Sequence, residues 1–216
     1  MFTDISLQEK DGSFQQLLNR DMTKGDKFVT PYYDGEAAFG ICRLYGLTKD
    51  QGYLKALKLA AENYLNNGWL DYHDHWASYF MNELTKYEDD PRYYEFAMRN
   101  IMEDQMTMMQ KVFAPYRLEM TMACYETYQR MVERGIEVDY DMDIDRLKDL
   151  IINCVETDAI NCMLPEFAMY MAKPSEVEGT FFWREKEGLF IEIDNSQHAV
   201  VGLLQYMKYM EDFVVS

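Results

Sequence analysis

Apolar positions recur every three to four residues through most of this chain, which predicts a run of amphipathic helices. Ala37, Ala38, Ile41, Leu44 and Tyr45 share one face of a helix from Asp34 to about Thr48, with Asp34 as its N-cap and Glu36 in its first turn. A second helix spans Tyr53 to Leu65 on the stripe Leu54, Leu57, Ala61 and Leu65, and Asn66-Asn67-Gly68 ends it. A third runs from Asp74 to Tyr87, capped by Asp74. Asp89-Asp90-Pro91 opens a fourth that reaches about Met109, with Pro at the first helical position. A fifth covers Leu118 to Arg134 and stops at Gly135. A sixth begins at Asp141 or Asp143 and runs to about Cys162, where Pro165 stops it, and the last runs from Asn195 to Phe213.

Two stretches break this rhythm. Ile5–Gln8 and Phe14–Leu17 flank Asp11-Gly12, a strong hairpin-turn dipeptide, and Lys27 to Tyr33 reads as an extended approach to the first helix. Thr180–Arg184 and Leu189–Ile193 are strand-like and are joined through Glu187-Gly188. The fold class is therefore mainly α, with antiparallel helical hairpins and two small β-hairpins near 5–18 and 180–193. The chain reads as a single domain: hairpin and lead-in at 1–33, helical hairpins at 34–163, loop and hairpin at 164–194, and the last helix at 195–216. A shift of 40 residues lays Asp34 on Asp74, Ala37 on Ala77, Leu44 on Leu84, Asp50 on Asp90 and Tyr53 on Tyr93. Such a period points to stacked helix pairs.

Polar chemistry is concentrated where alternate helices begin. Tyr32-Tyr33-Asp34-Gly35-Glu36, Asp71-Tyr72-His73-Asp74-His75-Trp76, Tyr116-Arg117-Leu118-Glu119 and Asp194-Asn195-Ser196-Gln197-His198 all open helices of one parity. In an array of antiparallel hairpins, alternate helices point the same way, so these starts gather at one end. Capping and the helix dipole account for the acids there but not for His73, His75, Arg117 and His198. A pocket accounts for them. Glu36 and Asp194 are the candidate acid/base carboxylates, with His75 and His198 orienting or exchanging protons. Tyr33, Trp76 and Trp183 offer aromatic faces for a ligand ring or for the core. Asp74 reads first as a cap. Arg117 and Glu119 read as an ion pair or as a clamp for an acidic group.

Composition removes several classes of function. The net charge is −17 over 216 residues, which repels phosphate backbones and anionic membrane surfaces, so no nucleic acid or membrane partner is expected. No apolar run approaches the roughly 20 residues of a spanning helix, and Met1-Phe2-Thr3-Asp4 does not begin a signal peptide. The four cysteines, Cys42, Cys124, Cys154 and Cys162, are widely spaced without a C-x-x-C and read as buried thiols of a reducing, cytoplasmic protein. His73-Asp74-His75 lacks a third metal ligand at fixed spacing, so neither a metal nor a cofactor is expected. The aspartates at 139, 141, 143 and 145 lack the glycine and closing glutamate of a calcium loop.

Gly35-Glu36-Ala37-Ala38-Phe39, Leu44-Tyr45-Gly46-Leu47-Thr48-Lys49-Asp50 and Tyr53-Leu54 resemble the hairpins of the α/α-toroid superfamily, the six-hairpin glycosidase-like proteins. Leu84-Thr85-Lys86-Tyr87-Glu88-Asp89-Asp90 with Tyr93 repeats the phrase. The resemblance covers residues 30–135 and 180–213, and it implies a partial α/α toroid, because the chain supplies about half the helices of a closed ring. It further implies a carbohydrate-active or sugar-binding domain of hydrolase, lyase or epimerase type, with its site at the inner helix starts. The partner would be a sugar or another small polar ligand. The alternative reading is a non-catalytic helical-repeat module that binds a protein or its own copy, completing the ring. A third is a metal-dependent enzyme built on the histidines.

Overall fold

The computed structural model describes residues 4–26, 28–110, 112–185 and 188–213. Four sequence readings touch positions outside the described residues: the start Met1-Phe2-Thr3, Lys27 in the lead-in, Glu187 in the second hairpin turn, and residues 214–216 of the last segment. In chain order the helices are α1 (Pro31–Thr48), α2 (Gln51–Asn66), α3 (His75–Leu84), α4 (Pro91–Met102), α5 (Gln105–Met108), α6 (Tyr116–Arg134), α7 (Ile144–Ile160), α8 (Pro165–Ala168), α9 (Pro174–Val177) and α10 (Ile193–Lys208). Strands β1 (Phe182–Glu185) and β2 (Gly188–Ile191) precede α10. Among the described residues no helix is long and apolar enough to cross a membrane. The chain divides into two compact units, residues 1–103 with 123–142 and residues 104–122 with 143–216, so α6 contributes to both.

The first unit is built on two helical hairpins. Lys49 turns the chain after α1 in the left-handed conformation, its N–H bonding the Tyr45 carbonyl at 2.8 Å, and Asp50 caps α2 through Gly52 N at 2.7 Å. Asp74 caps α3 and Asp90 caps α4, with Pro91 at the first helical position. The core gathers Ile41, Leu57, Tyr64, Phe80, Leu84 and Phe96. Helices α1 and α3 run side by side in the same direction. A Cβ on Gly35, in the first turn of α1, would lie 2.7 Å from Trp76 Cβ, and the Tyr45 ring meets the Tyr87 ring at 5.1 Å further along. In both contacts the partner lies about forty residues on, which is the sequence repeat expressed as packing.

Helix α1 begins three residues earlier than its apolar pattern suggests, because Pro31 presets the first helical φ. Thr30 is the N-cap and makes no side-chain cap bond, so Asp34 is not a cap. It sits one turn in and accepts from Phe14 N at 3.1 Å and Gln16 Nε2 at 3.3 Å. The first hairpin expected at 5–18 is a turn closed by an isolated bridge rather than a pair of strands. Only the isolated bridges Gln8–Phe14 and Leu18–Lys24 are present, and Asp4–Leu7 is a 3-10 turn. The segment lies against α2. Gln8 Nε2 donates to the Ala56 carbonyl at 2.8 Å, and Gly12 (φ 92°) lies so close that a Cβ would stand 2.2 Å from the Leu59 carbonyl oxygen. The backbone still pairs across the turn, Glu9 N donating to the Ser13 carbonyl at 2.8 Å and Gln15 N to the Leu7 carbonyl at 2.9 Å.

The second unit packs Leu118, Leu147, Leu150, Ile151, Phe181 and Ala199 inside. Asp143 caps α7 through Arg146 N at 2.8 Å. The fourth helix stops at Met102 rather than near Met109, since Glu103 and Asp104 place negative charge at the negative end of the helix dipole. The single turn α5 follows. Pro165 begins a turn, α8, as well as ending the previous stretch, and Pro174 begins α9 in the same way. The second hairpin forms as expected, pairing Phe182 with Ile191 and Trp183 with Phe190. Helix α10 lies on the start of α6, where a Cβ at Gly202 would meet Leu118 Cγ at 2.9 Å.

The contact between α1 and α3 can be tested with two glycines of one helix. Gly35→Ala drives a methyl group into Trp76 and the Ala77 backbone and is expected to cost about 1–3 kcal/mol. Gly40→Ala has nothing within 4 Å to meet and should stabilise the helix by up to about 1 kcal/mol. Thermal or denaturant unfolding of the two variants checks both signs.

Candidate functional site

A cleft of about 760 Å³ lies in the first unit between the amino-terminal segment and the α1 and α2 helices. Asp34, Gln16, Asn63, Asn67, Trp69 and Tyr72 are among the residues that line it. Asp34 is only 2% exposed, and burial raises its carboxyl above the usual range, partly offset by the bonds from Gln16 and Phe14. The Gln16 amide acts like a short piece of strand: its Oε1 accepts from Thr30 N at 2.7 Å and its Nε2 donates to the Thr30 carbonyl at 3.2 Å. That pairing holds the lead-in against the segment carrying Phe14. Asn63 is buried, its Oδ1 accepts from Asn67 Nδ2, and its own Nδ2 has no partner. Behind the cleft, Trp69 stacks within 4.8 Å of Tyr64, whose hydroxyl is also buried without a partner. Gly68, at φ 73°, makes the turn that delivers Trp69 and Tyr72 to the wall.

Next to it, the start of α3 is tightly bonded. Asp74 Oδ2 accepts from Ala77 N at 2.9 Å, and His75 Nδ1 stands 3.4 Å from Asp74 Oδ1. Burial pushes the Asp74 carboxyl up to about 6 against the pull of the backbone N–H groups of Ala77, Trp76 and His75. Asn100 of α4 fastens this corner, its side chain donating to the Asp74 carbonyl at 2.9 Å and to Ser78 Oγ at 2.8 Å, while its backbone carbonyl accepts from His73 Nδ1 at 2.8 Å. His75 and Trp76 pack with Tyr79 and Phe39 in an aromatic cluster, with ring centroids 5.3 to 6.0 Å apart. These residues shape the corner and neither His75 nor Trp76 lines the cleft.

In the second unit His198 lies between two carboxylates. His198 Nδ1 bonds the Glu119 carboxylate, and Asp194 Oδ1 stands 3.7 Å from Nε2, one helical turn back. The Glu119 hydrogen bond holds the His198 imidazolium above its ordinary range, against desolvation and with added pull from Asp194. Arg117 is buried and donates to the Gln110 and Val112 carbonyls at 3.3 and 3.4 Å, so it braces the preceding loop rather than pairing with Glu119. Trp183 stacks on Phe190 at 5.5 Å across the hairpin. Asp158 carries no signal in the sequence, yet burial alone pushes its carboxyl up to about 7.

Of the ten residues proposed from sequence, five fall in each unit. Tyr33 lies at the rim of a smaller cavity beside the cleft, and Glu36 is exposed. The buried face of α1 runs through Asp34, Ala38, Ile41, Cys42 and Tyr45, which turns Glu36 to the opposite side. Of the α1 carboxylates, Asp34 rather than Glu36 lines the cleft, and Pro31 is the signal that it stands inside the helix rather than at its cap. Asn63 and Trp69 escape sequence reasoning because a single buried amide and a 3-10 turn carry no periodic signature. Among the described residues no group of three histidine, cysteine or acidic side chains is placed to hold a metal ion. Comparisons with protein-family models, curated proteins and solved structures found no match to this chain.

Because the folded-state pKa of His198 is raised, the Glu119–His198 pair contributes its full stability below the ordinary histidine range near 6.5. That contribution is lost as pH rises through the folded value. Glu119→Gln should lower the His198 pKa in an NMR titration and flatten the stability difference between mildly acidic and alkaline pH. An unchanged imidazole titration would refute the pairing.

Proposed function

We propose that the first unit binds a small, neutral, polyhydroxylated ligand of the sugar class in the cleft over Asp34. The observation that carries this reading is the pairing of an acceptor and an unused donor in one cleft: the Asp34 carboxyl and the buried Asn63 Nδ2. A hydroxyl can donate to the first and accept from the second. Glu9, Asp11 and Lys10 also line the cleft, so hydroxyl groups of the ligand would meet charged partners of both signs. Trp69 and Tyr72 add aromatic faces of the kind that cover the apolar side of a sugar ring. The resemblance to sugar-processing toroids agrees with this, and any acid/base chemistry on the ligand would fall to Asp34 rather than Glu36. Calorimetric titration with a panel of mono- and disaccharides tests the reading. Asp34→Asn keeps an acceptor for Phe14 N but removes the charge, and is expected to weaken binding by about tenfold or more with little change in melting temperature. Failure of every saccharide to bind the wild-type protein would end the proposal.

A second reading, a docking role for the other unit, is favoured by α10. Ile193, Val200, Leu204 and Met207 are all exposed there, Ile193 by 89%, at the spacing of a helix-packing seam. On this reading the occupant is a second copy of the chain. Sedimentation velocity should then show a concentration-dependent dimer that Leu204→Glu abolishes, and a wild-type protein that stays monomeric at high concentration would dismiss it.

A further inference from the structure

A second cavity, of about 120 Å³, adjoins the cleft and shares Phe14, Gln15 and Gln16 as a common wall. Its remaining lining is Leu7, Tyr33 and Ala37. The two spaces differ in chemistry. The cleft is lined by the acidic side chains of Glu9, Asp11 and Asp34, by Lys10 and by several amides, whereas the small cavity is walled by Phe14, Leu7, Ala37 and the Tyr33 ring, with Gln15 and Gln16 only along the divider. Both glutamine side-chain N–H groups are committed elsewhere. Gln16 is bonded to Thr30 and Asp34, and Gln15 Nε2 donates to the Leu17 carbonyl at 2.8 Å. The small cavity therefore offers a ligand little but apolar contact. Its size is comparable to the roughly 150 Å³ apolar cavity that accepts a single benzene ring in a protein interior.

Resting on the sugar reading of the cleft, we propose that the ligand is an amphipathic glycoside. Its sugar ring sits over Asp34 and Asn63, and an aromatic or short alkyl group bonded to that ring enters the cavity beside Tyr33. The Phe14–Gln16 wall is the divide the linkage crosses. Tyr33 is then a specificity-determining residue, since its ring is 42% exposed and borders the entrance, with Tyr32 packed against it at 5.1 Å. This also gives a role to an exposed tyrosine pair that the core does not require.

The test compares each free monosaccharide with its 4-nitrophenyl glycoside by calorimetry on the full chain. The glycoside of whichever sugar binds should bind at least about tenfold more tightly than the free sugar, as burial of one ring implies. Tyr33→Ala, at a partly exposed position, should erase that increment and leave the free-sugar affinity unchanged. Ala37→Leu, which fills the cavity, should do the same by a different route. Equal affinity for the free sugar and its glycoside overturns the apolar subsite while leaving the sugar site intact. An increment that survives in both variants overturns it as well. If neither the sugars nor the glycosides bind, the sugar reading itself fails and this inference goes with it.

Discussion

Removing the Asp34 carboxylate from water is the constraint on which the first unit depends. A buried carboxyl is costly unless hydrogen bonds replace its hydration, and here the bonds come from Phe14 N and Gln16, twenty and eighteen residues away in sequence. Satisfying Asp34 therefore fixes where the amino-terminal segment must lie. Once that segment is held on α2 through Gln8 and Gly12, it forms one side of the cleft. The acid, the wall and the cavity are consequences of one interaction, and that is why the site gathers around a residue that first reads as an ordinary helix cap.

The same corner shows how two helix starts are made to coincide. Gly35 has no side chain, which lets the first turn of α1 settle against Trp76 and Ala77 of α3. Asn100 then secures the backbone of the α3 start from the opposite side. Desolvation acts on both carboxyls, Asp34 and Asp74, but with different outcomes. Asp74 is bound up by the N–H groups of its own helix, while Asp34 keeps a face toward the cleft.

Much of this architecture is legible in the residues. Periodicity locates the long helices, the Asp74, Asp90 and Asp143 caps form as their sequence positions imply, and the forty-residue repeat reappears as the parallel packing of α1 on α3. What escapes are features set by tertiary contact. The first hairpin keeps only isolated bridges across its turn, and Glu36 reads as a site carboxylate from its place near the helix start, whereas the buried face of α1 leaves it outside. In the structure Leu44 is exposed and Cys42 is buried in that face. The Glu119–His198–Asp194 grouping is partly legible, since Asp194 and His198 are one turn apart. The partner Glu119 lies 79 residues earlier and reaches them only through the packing of α10 on α6.

Asp158 has a consequence for how the molecule behaves in an electric field. The formal charge of −17 assigns every carboxyl an empty proton site and every histidine neutrality. Asp158 keeps its proton up to about pH 7, Asp74 up to about 6, and His198 carries a proton beyond the ordinary imidazole range. Each retained proton removes one unit of negative charge. Near pH 6 the folded chain therefore migrates and elutes from an anion exchanger as a less acidic molecule than its composition implies, and unfolding it there releases protons from the buried carboxyls into the buffer.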